Sequence, residues 1–272
     1  MDVEETRVEE WSRDGLMLVS ALARYAPHPW TTPFCSESWG LAMSRTGAYR
    51  RRANGVEQVV DVSTGFYFRP GEETSVSHFT GRFDALTILL VDPERLDDLG
   101  GLENATGPFR VTGPLDLAHR VLLRDVGRRD DVAVQSAIVE LVIGGLSQRV
   151  PGASGHARRS TESERRRLVT DACEVLHCDE EWPSLLRLAR TVGCSPFHLS
   201  RVFREVTGMT ITQYRLRLQV HAVLDRLRDG DEDLASVAAT AGFSDHGHMT
   251  RTVVAQLGAA PSSLRRLLRA EP

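Results

Sequence analysis

Lysine is absent. All 33 basic side chains among the 272 residues are arginine, so every cation is a planar guanidinium that can grip a phosphate or a guanine edge with two prongs. Cysteine is scarce: Cys35, Cys173, Cys178 and Cys194 are irregularly spaced and form no CxxC pair. That spacing argues against a disulfide framework and leaves reduced thiols as the simplest reading. No apolar run approaches the roughly 18 residues that a helical membrane span needs. The opening segment MDVEETRVEE is acidic and polar, without the basic stretch and apolar run of a secretory signal, and the chain is expected in the cytosol. A Gly-rich phosphate loop and a Gly-x-Ser-x-Gly elbow are both missing. No catalytic residue, metal or cofactor is expected, and the chain reads as a non-enzyme.

What is present is uneven along the chain. The net charge of −4 argues by itself against a nucleic-acid partner. Residues 1–156 carry 16 Arg against 22 acids, however, whereas residues 157–272 carry 17 Arg against 15. The second half is the more basic, and its case rests on motif and on where the arginines sit.

The periodicity changes twice. Residues 1–33 read as an N-terminal segment with a short helical pattern (Leu16, Leu18, Val19, Leu22) that ends at Pro27, Pro29 and Pro33. From Trp39 to Val91 the runs WGLAMS, VEQVVDV, GFYFRP, TSVSHF and ALTILLV are β-rich and separated by turn residues. Short strands at regular spacing predict a small β-barrel or sandwich, and Asn54-Gly55 is a hairpin turn signal. Helical spacing follows in Leu115, Ala118, Val121 and Leu122, then from Asp131 to Val150. Residues 151–161 are a Pro-, Gly- and Ser-rich linker, and from Glu162 onward the pattern is of short helices. The expected fold is α+β: a sensor and dimerisation domain over 34–150, comprising a small barrel and its following helices, then an all-α domain over 162–272. The apolar helix after Asp131 is the candidate dimer surface.

Two segments of the helical half resemble each other. LLRLARTVGCSPFHLSRVFREVTG begins at Leu185, and LASVAATAGFSDHGHMTRTVVAQLG begins at Leu234. Gly193 matches Gly242, Arg201 matches Arg251, and Gly208 matches Gly258. Each copy reads as helix, Gly-containing turn, capped helix: Ser195-Pro196 restarts the first copy, Ser244 or Asp245 the second. Paired short helices with this turn are the helix-turn-helix signature. In that motif the N-terminal residues of the second helix face base edges in the major groove. The outward candidates are Phe197, His198, Ser200, Arg201 and Arg204 in the first copy. In the second they are His246, Gly247, His248, Thr250 and Arg251. His246 and His248, two apart on a helix, diverge and do not suit one metal. Cys173 and His177 lie on one helical face and read as a small buried thiol beside a capping His.

These residues, over about 165–269, resemble the DNA-binding domain of AraC/XylS-family transcription regulators, in which a long helix joins two helix-turn-helix units. The resemblance puts Phe197, Ser200 and Arg201 at base-reading positions of the first unit. It puts His246, Gly247, His248, Thr250 and Arg251 at those of the second. The second unit departs from the family pattern at Val253, Val254 and Leu264. The stretch from Gly47 to His78 is similar to the cupin-like sensor barrel of many such regulators. That likeness implies a small-molecule effector, with Arg50 and His78 the candidate ligand contacts, and homodimers formed through the helices after the barrel. Gly47 to Gly65 contains no His, so the metal set of a cupin enzyme is lacking. The function implied is a transcription regulator acting on double-stranded promoter DNA, with RNA polymerase a partner if it activates and no membrane partner. The alternatives are an effector-independent dimeric regulator and a cupin-type enzyme with a helical interaction module.

Overall fold

The computed structural model describes residues 3–25, 30–79, 83–99, 102–149, 159–179, 182–230 and 233–269. Its first half is organised by side-chain alternation. In a strand, neighbouring side chains point to opposite faces. The run ALTILLV sends Leu86, Ile88 and Leu90 to one face and Leu89 and Val91 to the other. A strand that is apolar on both faces must be covered on both.

That run lies in β9 (Phe83–Val91), inside a single antiparallel sheet. The other strands among the described residues are β1 (Val3–Arg13), β2 (Leu16–Tyr25), β3 (Phe34–Cys35), β4 (Trp39–Thr46), β5 (Ala48–Ala53), β6 (Val56–Asp61), β7 (Thr64–Phe68), β8 (Glu73–His78) and β10 (Gly107–Arg110). The hydrogen-bonded order is β1-β2-β9-β4-β7-β6-β5-β8-β3, with β10 against β7. The barrel expected from the sequence is thus a curled sheet, a half-barrel with open edges. Its convex face carries Leu41, Met43, Tyr67 and Leu89, packed under α1 (Gly113–Asp125) and α2 (Asp131–Leu146). Its concave face carries Ala42, Tyr49, Phe66 and Phe68. The Asn54-Gly55 turn joins β5 to β6 with both residues at positive φ (51° and 73°), as a two-residue hairpin requires.

Two local expectations are corrected. The helical pattern at Leu16 to Leu22 is β2, paired with β9 from Leu16↔Val91 to Arg24↔Phe83. A short apolar run does not distinguish helix from strand, and here Asp14-Gly15, at φ 47° and 75°, closes a β1–β2 hairpin. Strand β5, with three successive arginines, is not among the expected strands; its pairing with both β6 and β8 overrides its composition. Of the 151–161 linker, residues 151–158 lie outside the described residues.

The second half comprises α3 (Arg159–Cys178), α4 (Leu185–Thr191), α5 (Pro196–Thr207), α6 (Ile211–Asp229), α7 (Leu234–Thr240), α8 (His246–Leu257) and α9 (Pro261–Leu268). Helix α6 starts at a capping box between Thr210 and Gln213, which satisfies backbone donors that would otherwise lack partners. Its first half puts Ile211, Tyr214 and Leu218 into a core with Leu199, Val202 and Phe203 of α5 and Ala172 and Leu176 of α3. Its second half puts Val223, Leu224 and Leu227 into another core with Val237, Met249, Val253 and Leu264. Val253 and Leu264, where the chain departs from the family pattern, are both fully buried members of this core.

Two polar networks bind the helices to the sheet. The buried Asp61 carboxylate accepts from Ser63 N and Oγ, both at 2.7 Å, and from the Tyr214 hydroxyl, with His177 Nε2 at 3.2 Å. His177 is therefore a bridging residue of this network, not a helix cap. The second network centres on Arg120. It donates to Asp116 at 3.1 and 3.2 Å, to Asp225 of α6 at 2.6 Å and to the Arg45 carbonyl at 3.1 Å. The neighbouring His221 is pushed down to about 4 by burial, with Arg120 and Arg217 adding to the effect, so at neutral pH it sits uncharged among these ions. Gly113 allows α1 to meet α8: a Cβ there would lie 2.3 Å from the Gln256 carbonyl oxygen.

Burial alone would raise the Asp61 carboxyl, but the hydrogen bonds and charge of His177, with those from Tyr214 and Ser63, outweigh it and hold the group at about 2. A folded-state value below the unfolded one stabilises the fold above the ordinary Asp range near pH 4, and that contribution disappears as pH falls to about 2. Asp61→Ala, which removes the acceptor shared by Ser63, the Tyr214 hydroxyl and His177, is expected to lower unfolding free energy by about 2 kcal/mol at pH 7 in a urea titration. The gap from wild type should narrow as pH drops below about 4. An unchanged urea midpoint at pH 7 would mean that the network contributes no net stability.

Candidate nucleic-acid interface and ligand cavity

The two helical repeats have the same internal dimensions. Helices α4 and α7 are each 7 residues long, and α5 and α8 are each 12. Gly193 (φ 74°) and Gly242 (φ 79°) make the turns between them, a backbone conformation that a residue with a Cβ adopts only under strain. Ser195 caps α5 by accepting from His198 N at 3.2 Å. In the second copy the cap is Asp245, which accepts from His248 N at 2.7 Å. That hydrogen bond is the main reason the Asp245 carboxyl titrates below its ordinary value. Left-handed Gly208 and Gly258 end both second helices.

Helix α5 buries Leu199, Val202 and Phe203 and turns the candidate residues outward. Phe197 is 80% exposed. Arg201 and Arg204 are exposed, while His198 and Ser200 are half-buried. Arg201 is loosely held: its Nη2 lies 3.4 Å from His198 Nδ1 and its Nε 3.9 Å from Glu205. Many other arginines of this half are engaged with the protein itself. Arg187 grips Asp179 at 3.0 and 3.1 Å, Arg215 donates to the Pro183 carbonyl, and Arg217 donates to that of Val111.

Helix α8 is arranged differently. Arg251 and His246 are exposed, and Thr250 is half-buried with Oγ1 3.4 Å from His246 Nε2. His248 Nδ1 lies 3.2 Å from Ser244 Oγ, and its ring meets Phe243 edge-on at 5.3 Å. It braces the turn more than it projects from it. Gly247 offers no side chain, but a Cβ there would come within 3.2 Å of Arg251 Nη1, so the glycine leaves room for that guanidinium.

The concave face of the sheet lines an open cavity of about 710 Å³. Leu86, Ile88 and Leu90 of β9 line one wall, and Tyr49, Phe66 and Phe68 another, with Trp30 and Phe34 from the segment before β4. Of the two expected ligand contacts, His78 lines this cavity and Arg50 does not. Side chains alternate along β5: Tyr49 faces inward, whereas Arg50 faces α3, donating to Asp171 at 3.2 Å and to Glu174. Arg50 thus ties the sheet to the helical half. The sequence reading missed the pair that does lie on the inward face, Arg51 and Glu72, both with side chains nearly fully buried. The signal was available: Arg51 is two residues from Tyr49 on the same strand face. Among the described residues, no three His, Cys, Asp or Glu side chains converge as a metal-ligand set.

Comparison with known proteins supports the helical reading. The helix-turn-helix domain family model matches residues 188–267. Regulatory protein ada of Salmonella typhimurium is 31% identical over 108 residues, 39% of this chain and 30% of that protein. The uncharacterized HTH-type transcriptional regulator YidL of Escherichia coli is 29% identical over 102 residues, 37% of this chain and 34% of that protein. The chain therefore spans about a third of the length of these curated relatives. Among solved structures, ToxT from Vibrio cholerae O395 is 10% identical, with 92% of this chain and 98% of that chain covered at a TM-score of 0.36.

The cap of α5 sets where the first exposed helix begins. Ser195→Ala is expected to cost about 1 kcal/mol of stability, and Ser195→Asp to restore most of it, read by thermal melting followed by circular dichroism. Equal melting of Ser195→Ala and the wild type would show that Pro196 alone fixes the helix start.

Proposed function

Since its C-terminal part is an AraC-type double helix-turn-helix domain, we propose that this chain is a sequence-specific transcription regulator that lays α5 and α8 into successive major-groove faces of double-stranded DNA. The observation that carries this is the pair of equal units on one 19-residue helix. At 1.5 Å per residue that helix is roughly 28 Å long, close to the ~34 Å between groove faces one turn apart. Phe197, His198, Ser200, Arg201 and Arg204 form the reading surface of the first unit. Arg201 reaches base edges, Arg204 grips phosphate, and the exposed Phe197 ring packs on the DNA. In the second unit Arg251, His246 and Thr250 make the contacts, with Gly247 and His248 shaping the surface around them.

The N-terminal half acts as the sensor. Residues 34–150 form the sensor and dimerisation domain, to which residues 3–25 add two strands, and residues 162–272 form the DNA-binding domain. A small-molecule effector occupies the concave cavity, with His78 on its wall. Its presence favours an effector-controlled regulator over one whose sheet only dimerises. Helix α2 pairs two copies through a face that leaves Val132 and Ile143 exposed at 74% and 52%. The protein works in the cytoplasm, without enzymatic activity of its own, and meets RNA polymerase if it activates. Among the described residues, no helix is long and apolar enough to cross a membrane.

The test begins with selection of bound sequences from a random DNA library, followed by anisotropy titrations on the enriched site. Arg201→Ala is expected to weaken specific binding by about 1–3 kcal/mol and to relax preference at one base position. Arg204→Ala should weaken all sequences alike and reduce the slope of log affinity against log salt by about one. Unchanged affinity of Arg201→Ala for the selected site would remove α5 as the reading helix.

A further inference from the structure

The charge bookkeeping of the cavity wall identifies the kind of effector it takes; this rests on reading the cavity as the effector site. Among the described residues lining it, only Glu72 and His78 can carry a charge. Each is already matched inside the protein. Glu72 receives a hydrogen bond from the Arg51 guanidinium and another from Thr106 Oγ1 at 3.0 Å. Arg51 also donates to Thr74 Oγ1 at 3.3 Å and stacks 4.1 Å from the Phe66 ring centroid. His78 Nδ1 lies 2.5 Å from Asp84 Oδ2, with both side chains at least 90% buried. Any charge on the imidazole is thus balanced within that pair.

An ionised group buried against these walls would leave water and find their charged side chains already paired with one another. Burying an unpaired ion in such surroundings is strongly unfavourable. Meanwhile the wall offers aromatic faces from Trp30, Phe34, Tyr49, Phe66 and Phe68, which favour offset or edge-on contact with another ring. The few polar positions, such as Thr31, Thr32 and Ser36, can donate or accept a hydrogen bond without supplying charge. We propose that the cavity binds an uncharged, predominantly apolar, ring-containing molecule bearing at most a hydroxyl or carbonyl group, and that it discriminates against organic anions and cations of the same shape.

The test uses the full chain and three probes on one skeleton: naphthalene methanol, naphthoate and naphthylmethylammonium, each titrated by calorimetry at pH 7. The expected result is that the alcohol binds at least about tenfold more tightly than either ion, in keeping with the cost of burying an unmatched charge. Ile88→Trp on β9, or Val19→Trp on β2 if the first does not fold, should remove the binding by filling the cavity. Equal or tighter binding of either ion would overturn the proposed class while leaving the cavity as a ligand site. Failure of all three to bind would overturn the proposed class. Undiminished binding of the alcohol to a folded cavity-filled variant would place the site elsewhere and overturn the proposal.

Discussion

The structure depends on α6 being a shared wall. A helix that joined the two repeats as a solvated rod would leave each with a core too small to hold. Instead α6 contributes Tyr214 and Leu218 to the first core and Val223, Leu224 and Leu227 to the second. Each repeat depends on it to close its core, because a pair of 7- and 12-residue helices cannot enclose its own apolar side chains, and α3 and α9 cover only part of them. This requirement explains why the helix buries apolar side chains from Ile211 to Leu227. It also holds the two exposed helices at a fixed spacing, which a flexible linker would not.

The helical half was legible in the sequence because its signals are local. Gly193 and Gly242, the caps at Ser195 and Asp245, and the terminal Gly208 and Gly258 each act within one or two turns of chain. The Asn54-Gly55 hairpin was legible for the same reason. What the sequence hid depends on distant partners. Asp61 and Tyr214 are 153 residues apart, and Arg120 and Asp225 are 105 apart. No periodicity links them. Arg50 looked like a ligand contact because a cation on a barrel strand has two faces to choose from, and only the position of α3 decides which. Strand β2 was read as helix because four apolar residues within seven fit both periods, and pairing with β9 settles it.

The all-arginine composition has a consequence for this architecture. Several guanidiniums serve as structural bridges: Arg120 joins Asp116, Asp225 and a backbone carbonyl, and Arg50 joins Asp171 and Glu174. The planar fork makes such multi-point contacts, and lysine would not reproduce them. In the helical half Arg215 and Arg217 are likewise spent on backbone carbonyls, so its basic count overstates what is left for a partner. The residues left for a partner are fewer and more specific, which reconciles a nearly neutral half with a nucleic-acid interface.

The contacts between sheet and helices also set the terms for communication. The cavity-lining His78 holds Asp84, whose carboxyl is raised by burial despite that contact. Asp84 packs against the β4–β5 turn so closely that a Cβ on Gly47, at φ 80°, would lie 1.8 Å from its Oδ1. The adjoining Thr46 hydroxyl donates to Asp225 of α6 at 2.6 Å. The chain of contacts from cavity to shared helix is contiguous, but contiguity alone transmits nothing. A ligand shifts the position of α6 only by as much as its affinity differs between two arrangements of that turn. Asp225 is held by Arg120 as well as by Thr46, so loosening the Thr46 contact leaves α6 tethered. Weakening of the interface is consequently graded, and release of α6 requires that both contacts be lost together with the Tyr214–Asp61 and Arg217–Val111 hydrogen bonds.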